Sequence, residues 1–318
     1  MKKRELPLGW INKKRYLALK IGSLAILLGG FAILFGYNFL IKELELFSFI
    51  LWLLAVIIGN SLFKSTLINK EKMETNKPMF ELIRNIEGNS ALEEVNKLLS
   101  RDDLSLAMRQ KYNIEKIYTL LYLGRNEEAK ELLSQIERPI GGNDLFIYLE
   151  LEFELSDNPR KLLEIEFDNL NNIHDFQTKS TMEVVLTYRE SILDAEDSGK
   201  PSEELREMIN TQRDIFTMLM NQYRIIRIYR GRSRYLTREA CEKIIEYAND
   251  LERFTKLANE VLEELGPVSE EERLEAERIQ EQGAAFYEID DKNETSENKD
   301  VVEAEVQEIK EDNNQYIE

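Results

Sequence analysis

Apolar residues are distributed along this chain in three different ways. Over 21–41 (IGSLAILLGGFAILFGYNFLI) and 46–63 (LFSFILWLLAVIIGNSLF) they run almost unbroken, and no charged residue intervenes. At about 1.5 Å per residue, the first run is long enough for a hydrocarbon layer of about 30 Å and the second is nearly so. Leu, Ile and Phe near the middle of such a run each favour insertion by about 0.3–0.6 kcal/mol. The pattern therefore predicts a transmembrane helical hairpin over 21–63. A cleavable signal has a shorter apolar stretch of about 7–15 residues that ends in small residues. The first run instead ends in Tyr37, Asn38 and Phe39, and a second run follows it.

Over 79–283 the apolar residues recur at intervals of three and four. In IEKIYTLLYLG, residues Ile114, Ile117, Leu120, Leu121 and Leu123 form the stripe of an amphipathic helix. Ser90 with Glu93, and Ser269 with Glu272, have the spacing of a capping box. Asn126 precedes two glutamates, Asn158 precedes Pro159, and Gly124, Gly141, Gly142, Gly199 and Gly266 act as stops. Strand signals are absent, so the predicted fold class is all-α, with short turns joining antiparallel helices. Longer helices are expected at 178–196, 202–229 and 238–264. The third pattern covers 284–318, where Glu, Asp and Asn dominate. So few apolar anchors do not offset an ordering cost of about 1–2 kcal/mol per residue, and an acidic disordered tail is predicted.

Charge adds an orientation. A basic N-terminus, 1–20, carries Lys2, Lys3, Arg4, Lys13, Lys14, Arg15 and Lys20, and a basic linker, 64–78, carries Lys64, Lys70, Lys72 and Lys77. The connection between the apolar runs has only Lys42 beside Glu43 and Glu45. The positive-inside rule then places both termini in the cytoplasm, with two spans in the plasma membrane of what is expected to be a bacterial cell. Small residues line one side of the first run, at Gly22, Ala25, Gly29, Ala32 and Gly36, with Ala55 and Gly59 (and Ser48) in similar phase on the second. Such stripes let helices approach closely in lipid, and packing of the two spans on each other is expected.

The chain's net charge of −18 disfavours nucleic acid, which needs a surplus of Lys and Arg. The single cysteine, Cys241, has no intrachain partner for a disulfide, and the single histidine, His174, reads as a turn residue. Phosphate-loop, dinucleotide, zinc-protease and nucleophile-elbow motifs do not occur, so neither catalytic, cofactor-binding nor metal residues are assigned and no enzyme activity is expected. Asp290, Asp291 and Asn293 lack the turn glycine of a calcium loop. One stretch, RIIRIYRGRSRYLTR, stands out from the acidic background: Arg224, Arg227, Arg230, Arg232 and Arg234, followed by Arg238. Arginine suits two-pronged binding of carboxylate or phosphate. These residues are the candidate partner-binding site. The competing reading pairs them with acidic residues of neighbouring helices.

Two stretches are nearly the same text, EEVNKLLS at 93–100 and EEAKELLS at 127–134. Val95 with Leu99, Ala129 with Leu133, Leu163 with Phe167, and the turn at Gly124 follow the small-then-large spacing of one repeat half, and the region 80–170 resembles the tetratricopeptide repeat family. It departs from that family where Asn113, Lys116, Ile117 and Leu120 replace its Trp, Leu, Gly and Tyr, and Pro139 falls early. The resemblance implies stacked helical hairpins with an extended surface for proteins. The expected function is a membrane-anchored scaffold or adaptor that recruits proteins at the cytoplasmic face. The alternatives are an accessory subunit of a transporter or envelope-biogenesis complex, and an enzyme acting through carboxylates. Its partners would be cytoplasmic or membrane proteins, with no cofactor and no small-molecule substrate.

Overall fold

The computed structural model describes residues 9–41, 46–139, 142–211, 213–274 and 276–277, and these form helices and turns without strands. The predicted acidic tail, its Asp290, Asp291 and Asn293, and the turn between the apolar runs lie outside the described residues. Two long helices, α1 (Lys13–Ile41) and α2 (Leu46–Thr75), pack together as a hairpin. Both are long and apolar enough to cross a membrane, and only 17% and 6% of their most apolar windows are buried. A core helix of a soluble protein hides such a surface. Here Leu24, Leu28, Ile33, Phe35, Ile57 and Leu62 face outward.

The remaining helices form the body. In chain order they are α3 (Lys77–Ile83), α4 (Gly88–Leu99), α5 (Leu106–Tyr122), α6 (Asn126–Leu133), α7 (Gly142–Leu155), α8 (Pro159–Asn169), α9 (Phe176–Ser198), α10 (Glu203–Asn210), α11 (Ile215–Tyr229), α12 (Arg234–Tyr247) and α13 (Glu252–Leu265). The near-identical stretches fall in α4 and α6, and Val95, Ala129 and Leu163 are all buried. Short helices α4, α6 and α8 alternate with longer α5, α7 and α9.

The 202–229 and 238–264 segments each divide in two. Asp214 turns the chain and accepts the Thr217 amide at 2.7 Å, which starts α11. The turn at 248–251, with Asn249 at φ 47°, separates α12 from α13. That second break has a tertiary cause. The Asp250 carboxylate accepts the Gly88 and Asn89 amides at 2.7 and 2.8 Å, and the Asn249 side chain donates to the Ile86 carbonyl at 3.1 Å. The cap of α4 thus comes from a residue far along the chain rather than from Ser90. Asp250→Ala should lower stability by about 0.5–2 kcal/mol, the usual effect of losing a helix cap. Thermal unfolding of the full chain in detergent measures this.

These contacts close the body on itself. The α13 helix packs on α11, α12 and also α5, so one apolar core takes side chains from α3 through α7 and from α11 through α13. Its centre is a cluster of rings. Phe254 lies 5.3 Å from Tyr122, 5.7 Å from Tyr223 and 6.2 Å from Phe216, between centroids. A second core fills the space between α7, α8 and α9, and a third joins α9 to α10 and α11.

The stretch 64–78, read as a linker, is helical through Thr75 and passes into α3. The hairpin is joined to the body a second time through the residues ahead of α1. Ile11 is buried against Val95, Leu98, Leu104, Met108 and Tyr112. Its amide and that of Asn12 donate to the buried Glu71 carboxylate at 2.5 and 2.6 Å, and Arg15 donates to it at 3.2 Å. The Tyr112 hydroxyl donates to the Thr75 carbonyl at 3.2 Å, and Arg101 donates to the Ile11 carbonyl.

Candidate functional site

The candidate arginines occupy a seam where α9, α11, α12 and α13 meet. Asp214 starts α11, and the chain leaves the helix at Tyr229 through Gly231, whose φ of +77° is open to glycine and strained for other residues. Arg224 lies over the Tyr188 ring at 5.2 Å and donates to the Asn221 side chain at 3.3 Å. Arg227 donates to Glu196 at 2.8 Å. Arg230 forms a two-pronged pair with Glu264, one arm at 3.0 Å.

Arg232 works as a cap for two helices. It donates to the Glu196 and Asp197 carbonyls at 2.9 and 2.7 Å and to the Ile228 carbonyl at 2.6 Å. This satisfies carbonyls near the C-terminal ends of α9 and α11, where a cation also meets the negative end of each helix dipole. Gly199, at φ +70°, lets the guanidinium lie against the turn, since a Cβ there would collide with it. Arg234 donates to the Leu265 carbonyl, and Arg238 pairs with Glu272 and donates to the Gly266 carbonyl at 2.8 Å. The Arg238 hydrogen bond holds the Glu272 carboxyl below the usual range. The row joins neighbouring helices through partners the chain itself supplies. An acidic partner docking here would have to compete with Glu196, Glu264 and Glu272.

Below the seam is a buried cluster that sequence reasoning missed. Glu154 of α7 accepts hydrogen bonds from Arg189 of α9 and Arg253 of α13, with Arg227 of α11 at 3.7 Å. Glu150 stands 3.8 Å from Arg189. Burial alone would push the Glu154 carboxyl up, but the three guanidiniums outweigh it and hold it at about 2. Burial also works against the Arg189 charge, yet Glu154 and Glu150 overcome it and raise its pKa. For Glu196 burial prevails over Arg227 and Arg189, and its carboxyl is raised. Arg253 and Arg227 lie over the Tyr223 ring at 5.1 and 5.8 Å, which adds a cation–π contact. With three cations around it, Glu154 stays ionised near neutrality and ties four helices together. The sequence carried one signal for this. In LFIYLELEFEL the apolar residues surround the helix, and Leu149, Leu151 and Phe153 are all buried, so glutamates at 150 and 154 have the interior to face.

His174 lies exposed in the turn ahead of α9. Cys241 is fully buried in the main core, and burial pushes its thiol up to about 11. Among the described residues no group of carboxylate, Cys or His side chains is arranged to hold a metal ion.

In the hairpin, the small-residue stripe divides. A Cβ on Gly22 would meet the Phe63 ring at 2.5 Å, so this glycine sits at the helix contact. The contact then runs through Ser23, Gly30 and Leu34, where a Cβ on Gly30 would meet Val56 at 2.6 Å. Trp52 donates from its ring nitrogen to the Gly30 carbonyl at 3.1 Å. Gly29, Gly36 and Gly59 have nothing within 4 Å of a built Cβ, and Ala25, Ala32 and Ala55 are exposed. The contact keeps Gly22 of the stripe, beneath the Phe63 ring, and further along moves a step around the helix to Gly30, beneath Val56. No protein-family model, no curated protein and no solved structure matches the chain.

Proposed function

We propose that the chain is a membrane-anchored helical adaptor. The α1–α2 hairpin spans the plasma membrane with both termini in the cytoplasm, and the repeat-like body recruits proteins to the inner face. The observation that carries this reading is the double junction at the base of the hairpin. The body is attached both by the helical run-out of α2 and by the plug of Ile11 beneath α4 and α5, with Glu71 capping the start of α1. A flexible tether needs no second attachment. A body joined twice is held at one height and angle above the layer that surrounds the outward-facing apolar residues of α1 and α2. The basic residues flanking the hairpin favour the anionic inner leaflet.

Within this reading the arginine row keeps the stack together and a recruited protein uses another face. A charge swap tests both halves. Proximity labelling of the full chain in cells should recover a defined set of neighbours from the cytoplasmic side. Arg230→Glu, which sets two negative charges against each other at Glu264, should weaken recovery, and adding Glu264→Arg should restore it. Continued loss in the double variant would assign Arg230 to the partner contact instead. Cleavage of the body by protease added outside intact cells would overturn the topology.

A second reading, an accessory subunit of a membrane transporter or envelope-biogenesis complex, draws on the small residues turned away from the hairpin contact. Ala25, Gly29, Ala32 and Gly36 leave room for another membrane helix.

A further inference from the structure

Between the hairpin and the body lies an open cleft of about 640 Å³. Leu19 of α1 and Ile68 of α2 form its wall on the hairpin side, Met108 and Lys111 of α5 form the opposite wall, and Trp10 and Lys72 stand at the edge. Most of this lining is apolar. Trp10 is half-buried and its ring centroid lies 5.4 Å from that of Tyr16, while the Lys20 ammonium sits 4.7 Å from the centre of the Tyr16 ring. Trp, Tyr and Lys are the side chains that settle at the boundary between hydrocarbon and water, because each joins an apolar body to a polar end. The cleft thus opens at the level where that boundary falls if α1 and α2 span a membrane.

We propose that this cleft binds one anionic glycerophospholipid from the inner leaflet. The inference rests on the anchoring proposed above and names a ligand for its base. An acyl chain continues the outward-facing apolar surface of α1 and α2 into the space beside Leu19 and Ile68. The phosphate lies toward Lys72, whose side chain is exposed. Lys111 on the opposite wall is already engaged, donating to the Thr75 carbonyl at 3.3 Å, the Asn76 side chain at 3.4 Å and the Glu115 carboxylate at 2.5 Å, so Lys72 supplies the positive charge. The one carboxylate in the wall, Glu71, already accepts the Ile11 and Asn12 amides and pairs with Arg15, so its charge is largely compensated. The apolar lining selects a lipid over free phosphate, and Lys72 selects an anionic headgroup over a neutral one.

Native mass spectrometry of the full chain in mild detergent tests this, with phosphatidylglycerol, phosphatidylcholine and inorganic phosphate as probes. The expected result is one retained phosphatidylglycerol that inorganic phosphate does not displace. Lys72→Glu should weaken its retention by roughly tenfold, because one basic group near the headgroups becomes acidic, and should leave phosphatidylcholine unchanged. Leu19→Trp, which sets a bulkier ring into the apolar wall where the acyl chain would lie, should weaken retention. If that larger change disturbs α1, the exposed Lys72 position still decides the matter. Equal retention of the two lipids, displacement by inorganic phosphate, or indifference to Lys72→Glu would overturn the proposal. Resistance of the wild-type chain to carbonate extraction from membranes reads the anchor separately. A chain that stays in the membrane yet keeps no lipid sinks only the lipid site, whereas a chain that is extracted sinks both.

Discussion

Replacing Glu154 with Gln is expected to destabilise the folded protein by about 3–5 kcal/mol, the usual consequence of stranding a buried charge by removing its partner. The amide keeps the shape of the side chain and discards its charge, while Arg189, buried, and Arg253, with 10% of its side chain exposed, remain beside it. The effect also has a pH signature. Glu154 is held at about 2 against an ordinary 4.5, so its contribution is complete above about pH 4.5 and is lost as pH falls toward 2. Glu196 acts in the opposite sense. Its raised carboxyl favours the folded state while protonated, and that contribution is lost as pH rises through its folded pKa. Circular dichroism of the wild type through the acid range should therefore show a loss between about pH 4.5 and 2 that is smaller in Glu154→Gln, where Glu272 and the other lowered carboxyls still titrate. An unchanged acid transition in the variant would mean that the cluster does not couple these helices.

Phe254→Ala should cost about 3–5 kcal/mol, the range for emptying a large aromatic site in a packed core. Phe254 is fully buried and touches rings from α5 and α11. The position also reports on how the body is closed. If α13 seals the stack against α5, hydrogen exchange in the variant should rise in α13, at the start of α4 capped by Asp250, and in the C-terminal half of α5 together. A rise confined to α13 would show that the stack stands without its closing helix.

The closing contact bears on the surface available to partners. An open run of repeats presents a concave face along its length. Here α13 returns to α5, and the turn ahead of it fits against Gly88, where a Cβ would meet Leu123 and Leu251 at 2.7 and 2.9 Å. Phe216, Tyr223 and Phe254 pack together in the core where α11 and α13 meet.

What the sequence settled by itself was local. Two charge-free runs specified α1 and α2, the recurrence of apolar residues specified helices, and Asn158 ahead of Pro159 marked the start of α8, where its side chain accepts the Lys161 amide at 3.1 Å. These signals act within one or two turns of helix, so they are readable from neighbouring residues. Tertiary structure decided the rest, because the rest depends on residues far apart in the chain. Glu154 meets Arg253 across 99 positions and Gly88 meets Asp250 across 162, and no periodicity links such pairs. The arginine row was visible as a composition, but its partners Glu196, Glu264 and Glu272 were one set among many acidic residues until folding placed them. The same holds for the hairpin. The sequence showed where small residues lie on α1, and packing against the facing helix determined which of them meet Val56 and Phe63.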